Sequence, residues 1–190
     1  MAMLQTLDIR WTAAEVRAMQ DRDPSHRYQV VDGELLVSPG PSRPHQRCVG
    51  HLLKLVDAYV QRWQCGETLM GPGQVLPDGN TEMQPDVFVI PLDGTDANDA
   101  WDTNGRLLLA CEVLSPSTAR FDRVNKRPKY QSMGATYWIF DMDARVVEEW
   151  LPGAAQSTVL SAEISWQPDE VPEPLVIDLA SFFRKVVRKG

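Results

Sequence analysis

The feature that most constrains the fold is a nearly continuous apolar run, Leu107 to Leu114, which contains one acidic residue, Glu112. Such a run is typical of a strand buried on both faces, at the centre of an α/β sheet. A carboxylate in this setting is costly to bury unless it is paired or bound to a metal ion. Taken alone, Glu112 therefore fits a metal site and a structural ion pair with an arginine equally well.

A β-hairpin is predicted near the N-terminus. Tyr28 to Val31 and Glu34 to Val37 are β-rich runs separated by Asp32-Gly33. Asp-Gly is a strong hairpin signal because both central residues of a type I′ turn need positive φ.

Other runs predict the rest of the sheet. Val87 to Ile90 and Tyr137 to Phe140 are expected to be strands, and a polar acidic loop, Asp93 to Asn104, follows the first of them. The segment Arg145 to Leu151 alternates less cleanly and is predicted to be an edge strand.

Helical spacing predicts the flanking layers. Apolar positions recur along His45 to Trp63 so that His45 lies on the face that packs on the sheet. A short first helix is predicted after Thr12, which forms a capping box with Glu15, and a last helix from about Asp178. The chain is therefore expected to be a single α/β domain, 1–190, with a central mixed sheet flanked by helices.

The net charge of −7 argues against a general nucleic-acid coat, which would carry a broad basic surface. A nuclease remains compatible with it, because a carboxylate site for a divalent metal is itself acidic. Basic residues need only cluster locally, as they do between Arg120 and Lys129. A second basic cluster, within Arg184 to Lys189, is expected to be a solvated helix face.

The sequence also predicts a cytoplasmic protein that does not span a membrane. No apolar run reaches the roughly 18 residues needed to cross a bilayer, and Met1 to Ile9 lacks the features of a signal peptide. The three cysteines form no CxxC pair, and each is expected to be a small buried hydrophobe.

Several short motifs follow one another in a characteristic order. They are YQVVDGEL at Tyr28 to Leu35, His45-Gln46, Gln84-Pro85-Asp86, Glu112-Val113-Leu114-Ser115-Pro116-Ser117-Thr118, Asp122…Lys126…Tyr130, and Tyr137-Trp138-Ile139. Each is weak alone, but in this order they resemble the Uma family of restriction-endonuclease-like proteins, within the PD-(D/E)XK nuclease superfamily. The resemblance implies a restriction-endonuclease-like core over about residues 28–151, followed by a C-terminal extension with the final helix.

The resemblance further implies a metal-dependent endonuclease that hydrolyses DNA phosphodiester bonds. Asp86 would be the metal-binding aspartate, Glu112 the acid of the D/E-X-K element, and Val113 the residue whose carbonyl reaches the metal. Such hard oxygen ligands suit Mg²⁺, for which Mn²⁺ can substitute. Residue 114, where that element places its lysine, is Leu114, and the lysine of this family matches Lys126 instead.

Pro128 bears on the choice of catalytic lysine. Proline lacks an amide donor and clashes with the preceding turn, so the helix is predicted to begin near Arg127. Lys126 would then lie in the cap region, and Lys129 is a rival for the catalytic role. We prefer Lys126.

Glu34 and His45 complete the predicted site. By resemblance, Glu34 would be a further acid near the metal, and His45 would contact phosphate or orient water. A solvent-facing hairpin acid and a polar residue at a helix N-terminus are the structural alternatives.

Two other functions are compatible with the sequence. A catalytically silent nucleic-acid-binding or protein-interaction module with the same fold would account for the missing lysine at position 114 and for the acidic charge. A metal hydrolase acting on another substrate also fits, because fold does not fix substrate. For a nuclease, DNA is the expected partner, and a homodimer is the expected assembly because nucleases that cut two strands are commonly dimers.

Overall fold

The structure is a computed structural model that describes residues 9–92 and 106–187. Some sequence-based predictions concern residues outside these ranges: nearly all of the N-terminal segment, the polar loop 93–104, and Arg188 and Lys189 of the C-terminal basic cluster. Within the described ranges, no helix is both long and apolar enough to cross a membrane.

The described chain alternates helices and strands around one central sheet. The helices are α1 (Ala13–Arg22), α2 (Arg43–Trp63), α3 (Ala119–Phe121), α4 (Arg127–Ser132) and α5 (Leu179–Val186), and a π-helical segment (Asp122–Lys126) joins α3 to α4. The strands are β1 (His26–Val31), β2 (Glu34–Pro39), β3 (Glu67–Met70), β4 (Val75–Asp78), β5 (Thr81–Met83), β6 (Val87–Ile90), β7 (Leu109–Val113), β8 (Thr136–Asp141), β9 (Val146–Trp150), β10 (Thr158–Leu160), β11 (Glu163–Trp166) and β12 (Leu175–Asp178).

The central sheet has six strands in the order β10-β9-β8-β7-β6-β3. Strands β7 and β8 run parallel, and the other neighbouring pairs run antiparallel. The predicted mixed sheet is therefore confirmed. A second sheet, in the order β2-β1-β5-β4, contains the hairpin, and β11 pairs with β12.

Strand β7 forms the predicted centre of the sheet, since all five of its residues are buried. Successive side chains of a strand point to opposite faces. Leu109, Cys111 and Val113 pack in the core that α2 covers, whereas Ala110 belongs to the core on the other face. Glu112 therefore points to the same face as Ala110, towards the helical stretch after β7.

The C-terminal extension packs into the core that α2 shares with the central sheet. Phe182 of α5 stacks at 5.2 Å on Phe140 of β8, centroid to centroid, and at the same distance on His51 of α2. Trp166 of β11 packs at 5.7 Å on Tyr59 of α2. These contacts join the first and last thirds of the chain around one sheet.

Local sequence signals account for where several elements begin. Thr12 and Glu15 form the predicted capping box, and the Asp178 side chain accepts a hydrogen bond from the Ser181 amide to start α5. Asp32 and Gly33 have φ of 50° and 81°, which confirms the hairpin turn.

The prediction that the segment Arg145 to Leu151 is an edge strand is wrong. The segment forms β9, and β10 covers its outer side, pairing Thr158 with Glu149 and Leu160 with Val147. Strand β10 has only three residues, two of them exposed, so it lacks the alternating apolar pattern by which a strand can be predicted.

The predicted helix start near Arg127 is confirmed for α4, which begins at Arg127 with Lys126 at its N-cap, but further helical turns precede it. Residues 119–132 form one continuous helical stretch, and Lys126 lies inside it. The π-helical turn makes this compatible with Pro128: the Arg127 amide bonds to the Asp122 carbonyl, five residues back, and the guanidinium of Arg127 donates to the Arg123 carbonyl. Wide turns of this type are frequent at functional sites.

Candidate active site

A cavity of about 510 Å³ opens where α2, β7 and the π-helical segment meet. Its walls include His45, Glu112 and Lys126, together with the loop that follows β7. Asp86 lies behind this wall, directly before β6, and its side chain is 4% exposed. The structure thus brings together four of the residues singled out from sequence.

Asp86 is positioned by the ladder between β6 and β7. The Asp86 amide donates to the Cys111 carbonyl, and carboxylate oxygen Oδ2 accepts from the Val113 amide at 2.9 Å. His45 Nε2 lies 3.2 Å from the same oxygen, and Arg27 Nη1 lies 3.4 Å from Oδ1. Burial alone would raise the pKa of Asp86, but the bonds and charges of His45, Val113 and Arg27 outweigh it and hold this pKa below its usual value.

Glu112 is held from the helical side of the cavity. Its Oε1 accepts from Lys126 Nζ at 2.7 Å and from the Tyr130 hydroxyl at 3.0 Å. Burial raises the pKa of Glu112 to about 8, with repulsion from Asp122 and Asp86 acting in the same direction and Lys126 in the opposite one. Burial is thus the main reason that this carboxyl group holds its proton more tightly than an exposed glutamate does.

Lys126 is 2% exposed and bridges two carboxylates. Its Nζ lies 2.7 Å from Glu112 Oε1 and 2.9 Å from Asp122 Oδ1. Burial would lower the pKa of Lys126, but the two carboxylates outweigh it and raise this pKa. The ammonium group is thus fixed as a cation beside Glu112.

Lys129 lies at a different place. Its Nζ contacts Asp32 Oδ1 at 2.5 Å and Asp78 Oδ2 at 2.9 Å, next to the hairpin turn. It is not among the residues that line the cavity. Of the two rival lysines, Lys126 is the one beside the carboxylates.

His45 lies in the first turn of α2, where Ser42 caps the helix. Burial opposes its protonation, but the hydrogen bond to Asp86 and the charges of Asp86 and Glu112 outweigh it and raise the pKa of His45. Within the described part of the chain, its Nδ1 is buried and has no hydrogen-bond partner. This nitrogen is thus a buried polar atom that the described residues leave without a partner.

Glu34 lies apart from the other predicted residues. Its side chain is half exposed at the start of β2, accepts from Asn125 Nδ2 at 2.7 Å, and approaches Arg120 to 4.0 Å. Its contacts are with the helical stretch rather than with Asp86 or Glu112. Its role as a further acid stays a prediction.

The basic cluster from Arg120 to Lys129 is largely paired within the protein. Arg123 binds Glu148 with two nitrogens and also approaches Asp141, and Arg127 lies 4.6 Å over the Trp150 ring. With Lys126 and Lys129 also paired to acids, this segment is not an open basic patch. The cavity itself is therefore the better candidate for a phosphate contact.

Three site residues were given no role from the sequence: Asp122, Tyr130 and Arg27. Asp122 and Tyr130 lie four residues before and four residues after Lys126, and this helical spacing could have predicted that both lie near the lysine. Arg27 had no such signal, because it reaches Asp86 from a strand 59 residues away in sequence. Only the pairing of β1 beside β5 brings it there.

The oxygen ligands present suit Mg²⁺, which keeps several of its waters, better than a metal ion that is enclosed entirely by protein ligands. Among the described residues, no three His, Cys, Asp or Glu side chains form a ready metal site. Mg²⁺ is commonly bound by one or two carboxylates and keeps several waters, so Asp86 and Glu112 suffice in number. Glu112 uses only Oε1 in its described hydrogen bonds, and a divalent cation would stabilise the charged form of Glu112, which burial disfavours.

Comparisons with known proteins identify the family and the fold. A family model described as "Uma2: Putative restriction endonuclease" matches residues 13–182. Among solved structures, the chain is similar to one described as "a putative nuclease belonging to DUF820 from Anabaena variabilis ATCC 29413", with a TM-score of 0.67 and 16% identity over 84% of this chain and 91% of that one. The search of curated proteins finds no match. The fold is therefore restriction-endonuclease-like, as the sequence predicted, and the chain belongs to the Uma2 family.

Proposed function

We propose that the protein is a Mg²⁺-dependent endonuclease that hydrolyses DNA phosphodiester bonds in the cavity beside Glu112. The observation that carries the proposal is the convergence of Asp86, Glu112 and the buried Lys126 from three separate segments. Folding alone does not explain it, because burying three charged groups together costs free energy that apolar side chains of similar size would not.

Asp86, Glu112 and the Val113 carbonyl would hold the ion, with Mn²⁺ as a substitute. When bound, the ion would supply Lewis-acid charge beside the scissile phosphate. The chain's own part is to hold two carboxylates in place: the Val113 amide and His45 fix Asp86, and Tyr130 and Lys126 fix Glu112.

Lys126 would orient the attacking water and offset the negative charge that grows on the phosphate oxygens in the transition state. Its ammonium group is immobilised by Glu112 and Asp122, so little reorganisation is needed as the reaction proceeds. His45, which lines the cavity, would contact a phosphate oxygen or orient water.

Cleavage of supercoiled plasmid and of single-stranded DNA tests the proposal, with Mg²⁺, Mn²⁺ or EDTA. The parent should cut only with a divalent metal, and Asp86→Asn should remove cutting while thermal unfolding shows a folded protein. Glu82→Gln is the matched control: Glu82 is a buried acid that bonds to Gln74 and does not line the active-site cavity.

An Asp86→Asn variant as active as the parent would contradict the proposed site. Absence of cutting by the parent with either metal would favour the silent binding module. Cutting of another ester but not of DNA would favour a hydrolase with a different substrate.

A homodimer remains the proposed assembly, and the cytoplasm remains the proposed location.

A further inference from the structure

A second cavity lies next to the active-site cavity. It has a volume of about 480 Å³, within the roughly 300–1,000 Å³ typical of small-molecule sites. We call it the side pocket. The two cavities share the lining residues Arg27, Gly40, Pro41 and Gln84, and Asp86 lines the side pocket from behind. A ligand in the side pocket would therefore lie within reach of the predicted metal ligands.

The side pocket is rich in neutral amides and apolar groups. Four glutamines line it, and Val49, Met70 and three prolines supply apolar surface. Its charged residues, Arg27 and Asp86, approach each other to 3.4 Å, so neither is an isolated charge. This lining suits a neutral, flat ligand with hydrogen-bonding edges better than it suits a second phosphate.

Two of the glutamine side chains have only long hydrogen bonds or none with the described residues. Gln84 is 3% exposed, and its side-chain contacts are long: 3.5 Å from Arg27 Nε and 3.4 Å to the Tyr28 carbonyl. Its backbone is fixed by a 2.9 Å bond from its amide to the Gln29 side chain. The exposed Gln46 side chain also lines the side pocket and makes no hydrogen bond with any other described residue.

We propose that the side pocket binds the base of a nucleotide adjacent to the scissile phosphate. The proposal rests on the proposed nuclease function and names a substrate contact for it. Glutamine amides pair with the edges of bases, and a base can enter such a pocket only when it is unstacked from its neighbours. Arg27 lines both cavities and would contact the phosphate that joins this nucleotide to the site of cleavage.

Binding of deoxynucleoside 3′,5′-bisphosphates tests the proposal without any cleavage. The four bisphosphates are titrated by calorimetry into the full chain in Ca²⁺ and again in EDTA, alongside deoxyribose 3,5-bisphosphate, which lacks a base. At least one base-containing ligand should bind about tenfold or more tightly than the abasic one. Equal affinities for all five, or no binding of any bisphosphate, would overturn the proposal.

Matched variants locate the contact. Gln46→Leu removes an amide while keeping similar volume, and it should abolish most of the preference for a base while leaving the affinity for the abasic ligand unchanged. Gln61→Leu, on an exposed face of the same helix and outside the pocket, should bind like the parent. Gln84→Leu should reproduce this loss. A preference that survives both pocket variants would place the base elsewhere and overturn the proposal.

These outcomes separate the side pocket from the nuclease function. Base-dependent binding without plasmid cutting would keep the side pocket and reject the nuclease. Plasmid cutting without base-dependent binding would do the reverse.

Discussion

Lys126 shows how one residue can serve both the fold and the chemistry. Its ammonium group is the described cation that contacts Glu112 and Asp122, two carboxylates that are each at most 5% exposed. Removing one partner of a buried ion pair leaves an uncompensated charge, which is far more costly than losing a pair at the surface.

We therefore predict that Lys126→Met abolishes cleavage and lowers the free energy of unfolding by about 3–5 kcal/mol. Lys129→Met is the matched control. Its partners Asp32 and Asp78 are 67% and 42% exposed, so the loss should be about 1 kcal/mol or less, and cleavage should persist. Urea unfolding and plasmid cleavage measure the two effects. If Lys129→Met were the inactive variant, the assignment of the lysine would be reversed.

Among single residues, the sequence predicted those whose type is unusual for the neighbouring sequence. Glu112 was evident because it interrupts an apolar strand, and Asp86 because it stands at the start of another. Arg27 could not be found in this way. It is an ordinary polar residue of an exposed hairpin until the fold brings its guanidinium 3.4 Å from Asp86.

Among the elements, the turn after β3 constrains Arg27. A Cβ added at Gly71 would lie 2.6 Å from Arg27 Nη2, closer than such contacts occur, and 3.0 Å from the Pro85 carbonyl, which is tighter than most. The Gly71 amide also donates to the Asp86 carbonyl at 3.2 Å. Glycine at this position lets the chain pass directly against the arginine and aspartate of the site.

Gly71→Ala should therefore push Arg27 from Asp86 and reduce the cleavage rate roughly tenfold to a hundredfold. Gly79→Ala is the control, since a Cβ there meets nothing within 4 Å. Initial rates on plasmid, compared at equal folded fraction, measure the difference. Equal rates for the two variants would show that Arg27 does not hold Asp86 in its active position.

Among the helices and strands, those with a clear apolar period or a diagnostic turn could be predicted from the sequence. Most of the very short strands and the π-helical turn could not. The hairpin and α2 follow from turn chemistry and from apolar spacing, which are local. Strands β3, β4, β5 and β10 have only three or four residues each, too few for a period to show. The π-helical turn also escaped prediction, because Pro128 indicates a helix start unless a wider turn satisfies the carbonyls before it.

At the scale of the whole molecule, the C-terminal extension shares the main core. Phe182 and Phe183 of α5 are each 2% exposed and lie in the cluster that contains Trp138, Phe140 and the buried face of α2. The prediction of one domain over the chain implies that this extension unfolds together with the nuclease core.

Phe182→Ala should thus lower the free energy of unfolding by about 3–5 kcal/mol in a single cooperative transition. Val176→Ala, at a 49% exposed position in the same extension, should change it by less than about 0.5 kcal/mol. Urea unfolding followed by far-UV circular dichroism and by tryptophan fluorescence gives both numbers. Two separate transitions in the parent would contradict the single domain.

The net charge of the molecule also favours binding of nucleic acid in a recessed site over binding on a broad basic surface. The chain carries a net charge of −7, and Arg123, Lys126 and Lys129 of the basic cluster after β7 are paired with acids of the protein itself. Contact with an acidic polymer would then depend on the cavity and on a metal ion bound there, rather than on a broad cationic face.

Titration of Mn²⁺, followed by electron paramagnetic resonance, tests the central claim most directly, because it does not depend on finding the right substrate. The parent should bind Mn²⁺ at this site. The affinity for Mn²⁺ should fall about tenfold or more in Asp86→Asn and in Glu112→Gln, and should be unchanged in Glu82→Gln. Equal Mn²⁺ binding by all four proteins, or none by the parent, would contradict a metal site at Asp86 and Glu112.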